Sequence, residues 1–182
     1  MFNSTTAFVI VDVQQALCFG ECAAYDSARV IDRINIVSRK ARKAGAPVVF
    51  IRHESLSAPL VHGSAGWQLA STLETRDSDI TVRKSASDAF HRTELREILE
   101  RLGVKRLVVS GLQSEFCVDS TVRRALALGF PVVLVSDGHS TIDSRLLSAA
   151  QISAHHNLTL ENLGSYGPRV TLCTAEDLSF DA

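Results

Sequence analysis

The sequence predicts an α/β fold, specifically a three-layer α/β/α sandwich with a mostly parallel sheet of about six strands. Short runs of strand-forming apolar residues alternate along the chain with longer segments in which apolar residues recur at helical spacing. The strand runs lack polar alternation, which is typical of a parallel sheet covered by helices on both faces. The 182 residues, 46% of them hydrophobic, suit one domain spanning residues 1–182.

Each element is assigned from its own pattern, in chain order. Phe8 to Asp12 is a continuous apolar run that ends in a carboxylate, and it is the first strand. Further strands are predicted at 48–51, 79–83, 105–110, 131–135 and 158–162. Helical spacing predicts helices over 30–44, 95–102, about 118–126 and about 145–155. The segment from Arg52 to Ser78 has little periodicity, and long irregular insertions of this kind are often lids or oligomer contacts.

Charge and cysteine usage exclude several classes of protein. There are 19 Lys and Arg residues against 20 Asp and Glu residues, so no basic excess favours nucleic acid or an anionic membrane as a partner. The longest strongly apolar run is far shorter than the ~20 residues that span a bilayer, and the first residues lack the pattern of a signal peptide. The 4 cysteines, without an export signal, are expected to be reduced thiols. We therefore expect a cytoplasmic protein.

Three ionisable residues lie where predicted strands end: Asp12 after the first strand, Lys84 after the third, and Cys117 in the turn after the fourth. Each alone has an ordinary structural interpretation, as a helix cap, a solvated surface charge or a small buried residue. In an open parallel sheet, however, ligands bind outside the carboxyl ends of the strands. The three residues together at that edge therefore form a candidate catalytic site.

The surroundings of Cys117 indicate a nucleophile. Gly111 permits a sharp turn after the fourth strand, and Cys117 then falls at the start of the following helix. Free N–H groups and the helix dipole at such a position lower the pKa of a thiol, and the same N–H groups can hold a developing oxyanion. Lys84 would stabilise the thiolate, and Asp12 would take or return the thiol proton. We therefore expect Cys117 to have a lowered pKa and to be the most reactive of the four thiols.

Four segments carry a resemblance to a known family. They are Val11-Asp12-Val13-Gln14, Arg83 to Phe90, Gly111 to Thr121, and Asp137-Gly-His139-Ser-Thr141. In order and spacing, from about residue 6 to residue 160, the sequence resembles the isochorismatase-like cysteine hydrolases. The resemblance implies a catalytic triad of Asp12 as acid and base, Lys84 as electrostatic partner and Cys117 as nucleophile. It also implies an oxyanion hole from the N–H groups of Gln113 and Cys117, and a cis peptide bond between Leu112 and Gln113.

The family contains nicotinamidases, amidohydrolases of carbamoyl and ureido groups, and isochorismatases that cleave a vinyl ether. Isochorismatases of the vinyl-ether type typically lack the cysteine, so Cys117 favours hydrolysis of a C–N bond through a thioester. Nicotinamidases carry an Asp-x-His metal pair after the second strand, where this sequence has His53 and Ser55. With Arg52 beside those positions, we expect no metal and no cofactor. Nicotinamidase or isochorismatase activity, and a non-catalytic small-molecule-binding role, stay open as alternatives.

The substrate is expected to be a small molecule. The candidate pocket residues lie near the predicted strand ends or in the irregular segment, and they are Gln14, Leu17, Arg52, Trp67, Phe90 and Phe116. For Arg52 and its neighbour His53, contact with substrate and a structural ion pair are both open interpretations. The apolar residues Leu60, Val61 and Trp67 also offer a contact surface, and the family commonly forms dimers or larger assemblies, so we expect a homo-oligomer.

Overall fold

The computed structural model describes residues 4–180. Six strands form one sheet, and all neighbouring strands in it are parallel. In chain order the strands are β1 (Thr6–Val11), β2 (Val48–His53), β3 (Ile80–Lys84), β4 (Arg106–Leu112), β5 (Val132–Ser140) and β6 (Val170–Cys173). The helices are α1 (Gln15–Cys18), α2 (Ser27–Lys43), α3 (Leu95–Arg101), α4 (Asp119–Ala127) and α5 (Ala149–Glu161). A π-helical turn, Ser114–Val118, leads into α4.

The central position of β1 explains why its run of apolar residues is almost unbroken. Every residue of β1 is buried. Side chains alternate between the two faces of a strand, so Ala7, Val9 and Val11 enter one hydrophobic core while Phe8 and Ile10 enter the other. A strand that is buried on both faces needs an apolar residue at nearly every position, and this is the pattern that predicts it.

Helices cover both faces of the sheet. The buried stripe of α2 packs on one face and recurs at helical spacing through Val30, Ile34, Val37 and Ala41. The other face is covered by α3, α4 and α5, and their residues Leu95, Leu99, Val122, Leu126 and Leu160 belong to the core that Val9 enters. The predicted three-layer α/β/α fold is therefore confirmed. Within residues 4–180, no helix combines the length and the apolar character needed to cross a membrane.

The strands lie in the order β3-β2-β1-β4-β5-β6, so the direction in which strands are added reverses between β1 and β4. At such a switch point in an open α/β sheet, a ligand-binding crevice lies outside the carboxyl ends of the strands. Asp12 follows β1 and Gln113 follows β4 at this point. The register pairs Val11 with Gly111, so the two loops begin side by side.

The last helix and the last strand lie elsewhere than the sequence predicts. The predicted helix over about 145–155 is α5 at Ala149–Glu161, and the predicted strand at 158–162 is the end of that helix. The alternation of Leu158 and Leu160 is typical of a strand, but Leu158 is exposed while Leu160 lies on the buried stripe of α5. A capping box between Ser148 and Gln151 starts the helix, and the last strand follows later as β6.

We expect Gly111→Ala to destabilise the fold severely. Gly111 has a φ of +123°, and a Cβ at this position would lie 2.0 Å from the carbonyl oxygen of Val11. Backbone strain and the clash together should lower the free energy of unfolding by about 3–5 kcal/mol. Gly129→Ala is the matched control, because its φ is +93° but no atom lies within 4 Å of the added Cβ. Urea denaturation measures the free energy of unfolding of both variants. Equal losses of this free energy in the two variants would show that β1 and β4 tolerate a side chain between them.

Candidate active site

Asp12, Lys84 and Cys117 come together at the carboxyl ends of the strands. Asp12 follows β1, Lys84 is the last residue of β3, and Cys117 lies in the π-helical turn after β4. The ammonium nitrogen Nζ of Lys84 lies 2.6 Å from Oδ2 of Asp12 and 3.2 Å from Sγ of Cys117. Asp12 and Lys84 are buried, and Cys117 is half-buried. A carboxylate, an ammonium and a thiol therefore form one compact cluster.

The ammonium of Lys84 occupies the position that a metal ion would need. It donates to Nδ1 of His53 at 3.1 Å and to the carbonyl oxygen of Ala86 at 3.0 Å. One potential ligand atom each from Asp12, His53 and Cys117 lies within 4.8 Å of the others, a spacing at which three such atoms can share an ion. A metal ion among them would meet the positive charge of Lys84 at short range. These residues therefore do not fit a metal, and Lys84 itself is the cation of the cluster.

His53 also belongs to this cluster. The parallel register of β2 and β3 places His53 opposite Lys84, so both side chains lie at the same edge of the sheet. Burial and the charge of Lys84 lower the pKa of His53, although Asp12 opposes them. The imidazole is therefore neutral near pH 7 and accepts a hydrogen bond from Lys84. The register between β2 and β3 brings His53 and Lys84 together, and this register cannot be read from the sequence.

Gln14 holds His53 in place and does not line the pocket, contrary to the sequence prediction. Its amide nitrogen donates to the carbonyl oxygens of His53 and Trp67, each at 2.9 Å. Its Oε1 accepts from the N–H of His53 at 2.8 Å. The side chain is completely buried. Because both amide protons and the amide oxygen bind backbone groups, Gln14 ties the end of β2 and the irregular segment to the loop after β1.

The remaining predicted pocket residues have different surroundings. Phe90 is a core residue, a correction to the prediction, because its ring stacks on Phe130 with centroids 6.3 Å apart inside the core beneath α3 and α4. Leu17 packs against the core beneath α2. Phe116 lies in the turn beside Cys117 and is 54% exposed. An aromatic residue after a strand end predicts a pocket wall and a core position equally well, and sequence alone does not separate them.

A cavity of about 650 Å³ adjoins the cluster at His53. Its walls come from the end of β2, the irregular segment and the residue after β3, and they include His53, Glu54, Leu56, Val61, His62 and Ser85. Trp67 contacts the His62 ring edge-on at 4.6 Å, and the guanidinium of Arg52 lies 4.7 Å over the Trp67 ring. The irregular segment therefore shapes the cavity, largely through residues other than those that the sequence predicts.

Cys117 is a protonated thiol in the free protein, which corrects the expectation of a lowered pKa. Burial and the nearby carboxylate of Asp12 raise the pKa of Cys117 to about 12, and Lys84 opposes them only in part. Desolvation disfavours the charged form of a buried thiol, and here it outweighs the effect of the helix start.

A buried chain of hydrogen bonds holds the turn that carries Cys117. The hydroxyl of Ser114, the first residue of the turn, lies 2.8 Å from Nδ1 of His139, and Nε2 of His139 lies 2.9 Å from Oδ1 of Asn157. Asn157 donates its amide to the carbonyl oxygen of Ser136, so its Oδ1 accepts from Nε2 of His139. Nδ1 then accepts from Ser114, and burial lowers the pKa of His139, which keeps the ring neutral. Through His139, Asn157 in α5 thereby fixes the start of the turn that carries Cys117.

The peptide bond between Leu112 and Gln113 is cis, at the position that the family resemblance implies. The carbonyl oxygen of Gln113 accepts from the N–H groups of Phe116 at 3.1 Å and Val118 at 3.2 Å. These bonds close the backbone around Cys117, so Gln113 and Cys117 belong to one turn.

Comparisons with known proteins identify relatives of this chain. The family model of the isochorismatase domain matches residues 6–164. A streptothricin hydrolase from Streptomyces noursei is 40% identical over 141 residues, which are 75% of this chain and 50% of that protein. Nicotinamidase 3 from Arabidopsis thaliana is 31% identical over 177 residues, which cover 88% of this chain and 81% of that protein. The chain thus spans about half the length of the streptothricin hydrolases that it matches.

Solved structures give the same assignment. The crystal structure of an isochorismatase family protein matches with a TM-score of 0.85 and 32% sequence identity, and the match covers 93% of this chain and 98% of the other. Family model, relatives and fold therefore agree over most of residues 6–164. The chain belongs to the isochorismatase family of hydrolases.

Proposed function

We propose that this chain is a cysteine hydrolase that cleaves the C–N bond of a small amide, ureido or carbamoyl compound through a thioester on Cys117. The observation that carries the proposal is the cluster in which Nζ of Lys84 lies 2.6 Å from Asp12 and 3.2 Å from Cys117. The streptothricin hydrolase among the relatives supports a hydrolytic reaction, and the nicotinamidase supports an amide as the bond that is cleaved.

In the first step, Asp12 takes the proton of Cys117 while the sulfur attacks the carbonyl carbon of the substrate. The N–H groups of Gln113 and Cys117 hold the oxygen as it becomes negative. The C–N bond then breaks, the sulfur keeps the acyl group as a thioester, and the amine leaves with the proton that Asp12 carried. Lys84 stays protonated and balances the negative charge as it passes between carboxylate and sulfur.

In the second step, water attacks the thioester while Asp12 takes a proton from that water. The C–S bond breaks, the acid leaves, and the sulfur recovers its proton from Asp12. The cycle thus begins and ends with a protonated thiol and an ionised Asp12. The raised pKa of Cys117 supports this resting state.

Release of ammonia or amine from a panel of amides, ureides and carbamates, with nicotinamide included, tests the proposal. We expect the wild type to hydrolyse at least one class and Cys117→Ala to lose turnover, because its nucleophile is gone. Asp12→Asn and Lys84→Ala should each lower kcat by ~10²–10⁴-fold, since each removes a group needed for proton transfer or charge balance. The double variant should be little slower than either single variant, because residues that act as one unit are not additive.

Cys173→Ala is the control for the loss of a thiol, because Cys173 lies in β6 at the opposite edge of the sheet from β3. Circular dichroism of each variant verifies the fold. Multiplicative losses in the double variant would show that Asp12 and Lys84 act separately. Binding of panel compounds by the wild type without any turnover would favour the non-catalytic alternative.

The titration of Cys117 gives a test that needs no known substrate. The charge of Asp12 raises the pKa of Cys117, and the charge of Lys84 lowers it. At pH 8, Asp12→Asn should therefore speed the alkylation of Cys117 by iodoacetamide, and Lys84→Ala should slow it. In the wild type the rate should keep rising to pH 10, because the pKa is about 12. Since Asp12→Asn should also lower kcat, the rate of alkylation and the rate of turnover should change in opposite directions in this variant.

Peptide mass mapping measures these alkylation rates, and the exposed thiol of Cys22 serves as the internal reference for the reagent. A plateau of the wild-type rate near pH 7 would show that Cys117 is a preformed thiolate. Slower alkylation in Asp12→Asn would contradict the assigned sign of the Asp12 effect.

Turnover should not depend on a metal ion. The ammonium of Lys84 lies between Asp12, His53 and Cys117, at the point where a cation would bind them. We expect unchanged activity after exhaustive dialysis against EDTA, measured with the best panel substrate. Activity that is lost on dialysis and returns only with Zn²⁺, Mn²⁺ or Fe²⁺ would contradict this expectation and favour the nicotinamidase alternative.

A further inference from the structure

Arg52 carries a partly buried charge that no carboxylate neutralises. Within residues 4–180 its guanidinium forms no ion pair and no hydrogen bond, and its Nε is fully buried. Burial lowers the pKa of Arg52, and no neighbouring charge opposes this effect. A guanidinium stays protonated at neutral pH, so the cost of removing it from water is not compensated. The ion pair that the sequence leaves open for Arg52 is therefore absent from the described residues.

Trp67, the residue that Arg52 contacts, has an unpaired donor as well. The guanidinium carbon of Arg52 lies 4.7 Å from the centroid of the Trp67 ring. Trp67 is 7% exposed, and its Nε1 is fully buried without a hydrogen-bond partner in the described part of the chain. A buried N–H group without an acceptor is unfavourable. Two stacked side chains thus each hold a buried donor that lacks an acceptor.

The charges near Arg52 leave one positive charge over. The register of β2 and β3 places Arg52 opposite Arg83, and both side chains leave the sheet on the face of Phe50. Arg83 has partners of its own, since its Nη1 lies 2.7 Å from Nε2 of His62 and its Nε lies 3.8 Å from Oε2 of Glu54. The charge of Glu54 is therefore taken up by Arg83, and the charge of Arg52 has no counterpart.

We propose that Arg52 and Trp67 bind the carboxylate group of a small molecule. The planar guanidinium offers N–H groups whose spacing matches the two oxygens of a carboxylate, and the indole N–H adds an uncharged donor. One unpaired positive charge balances the single negative charge of a carboxylate, whereas a phosphate group carries about −1.5 to −2 at neutral pH. The ligand class is a small organic carboxylate.

This carboxylate site adjoins the cavity of about 650 Å³. The rings of Trp67 and His62 are in edge-on contact at 4.6 Å, and His62 and His53 form part of the cavity wall. One nitrogen of His53 lies within 4.8 Å of Sγ of Cys117. The carboxylate therefore has two sources. It belongs to the substrate, an assignment that rests on the proposed function, or to a separate small molecule bound beside the cavity.

The fluorescence of Trp67 measures binding at this site directly, because Trp67 is the only tryptophan of the chain. We titrate the protein at constant ionic strength with propanoate and with propanamide, which has nearly the same shape and no charge. Propanoate should change the emission of Trp67 saturably and raise the Tm, and propanamide should do neither at the same concentrations. Inorganic phosphate should bind more weakly than propanoate.

Arg52→Gln should weaken the binding of propanoate by at least about 10-fold, the size of a hydrogen bond to a charged group. Arg52→Lys keeps the charge but loses the planar fork, so it should recover only part of the affinity. Arg83→Lys is the matched control, because Arg83 lies opposite Arg52 and the substitution keeps the charge that faces Glu54. Its affinity for propanoate should stay within about 3-fold of the wild type. Circular dichroism verifies the fold of each variant.

Turnover of malonamate, succinamate and glutaramate distinguishes the two sources of the carboxylate. Each is compared with the diamide of the same length, and rates are counted per amide group. If the substrate carries the carboxylate, one chain length should be preferred over its diamide by about 10-fold in kcat/KM, and Arg52→Gln should remove this preference. If a separate ligand carries it, propanoate should bind and no chain length should be preferred.

Three results would overturn the proposal. They are the absence of both a fluorescence change and a rise in Tm with propanoate, equal effects of propanoate and propanamide, and an unchanged affinity in Arg52→Gln. Tighter binding of inorganic phosphate than of propanoate would overturn the assignment to a carboxylate. Failure of the proposed function has a different signature, because the wild type would then hydrolyse none of the amides while the titration of Trp67 still tests the carboxylate site.

Discussion

The buried ammonium of Lys84 is the group on which the whole site depends. Removing an ammonium from water is costly unless charge and hydrogen bonds compensate for the lost hydration. Its compensation comes from the Asp12 carboxylate, the His53 ring, the Ala86 carbonyl oxygen and the Cys117 sulfur. These groups lie at the ends of β1, β2 and β3 and in the turn after β4. The buried charge is stable only when those elements end side by side. The arrangement of the site therefore depends on the arrangement of the strands.

The sheet meets this requirement through its switch point between β1 and β4. Gly111 lets the backbone of β4 pass close to Val11, which places the turn that carries Cys117 beside Asp12. Gln14 then fixes the end of β2 by binding both sides of His53. On the other side of the turn that carries Cys117, His139 of β5 is hydrogen-bonded to the first residue of the turn and is itself held by Asn157 of α5. Each functional group is therefore held by backbone or buried polar contacts from a different part of the chain.

The features that could be predicted are those that depend on local pattern. Apolar runs mark the strands, and ionisable residues at their ends mark the edge where Asp12, Lys84 and Cys117 meet. His53 and Gln14 could not be assigned in this way, because their roles depend on the register between β2 and β3 and on contacts 39 residues apart. The sequence predicts too early an end for the last helix, because two alternating leucines carry the pattern of a strand. It predicts the wrong direction for the pKa shift of Cys117, because a helix start is visible in a sequence and desolvation is not.

The raised pKa of Cys117 is compatible with its proposed role as nucleophile. A pKa describes loss of the proton to bulk water, which would leave the cluster with one more negative charge in a poorly solvated place. The proposed reaction passes the proton to Asp12, so the charge of the cluster does not change. The negative charge moves from one neighbour of Lys84, at 2.6 Å, to another, at 3.2 Å. The same ammonium stabilises both states, so a thiol that resists ionisation in water can still ionise toward Asp12 when a substrate is bound.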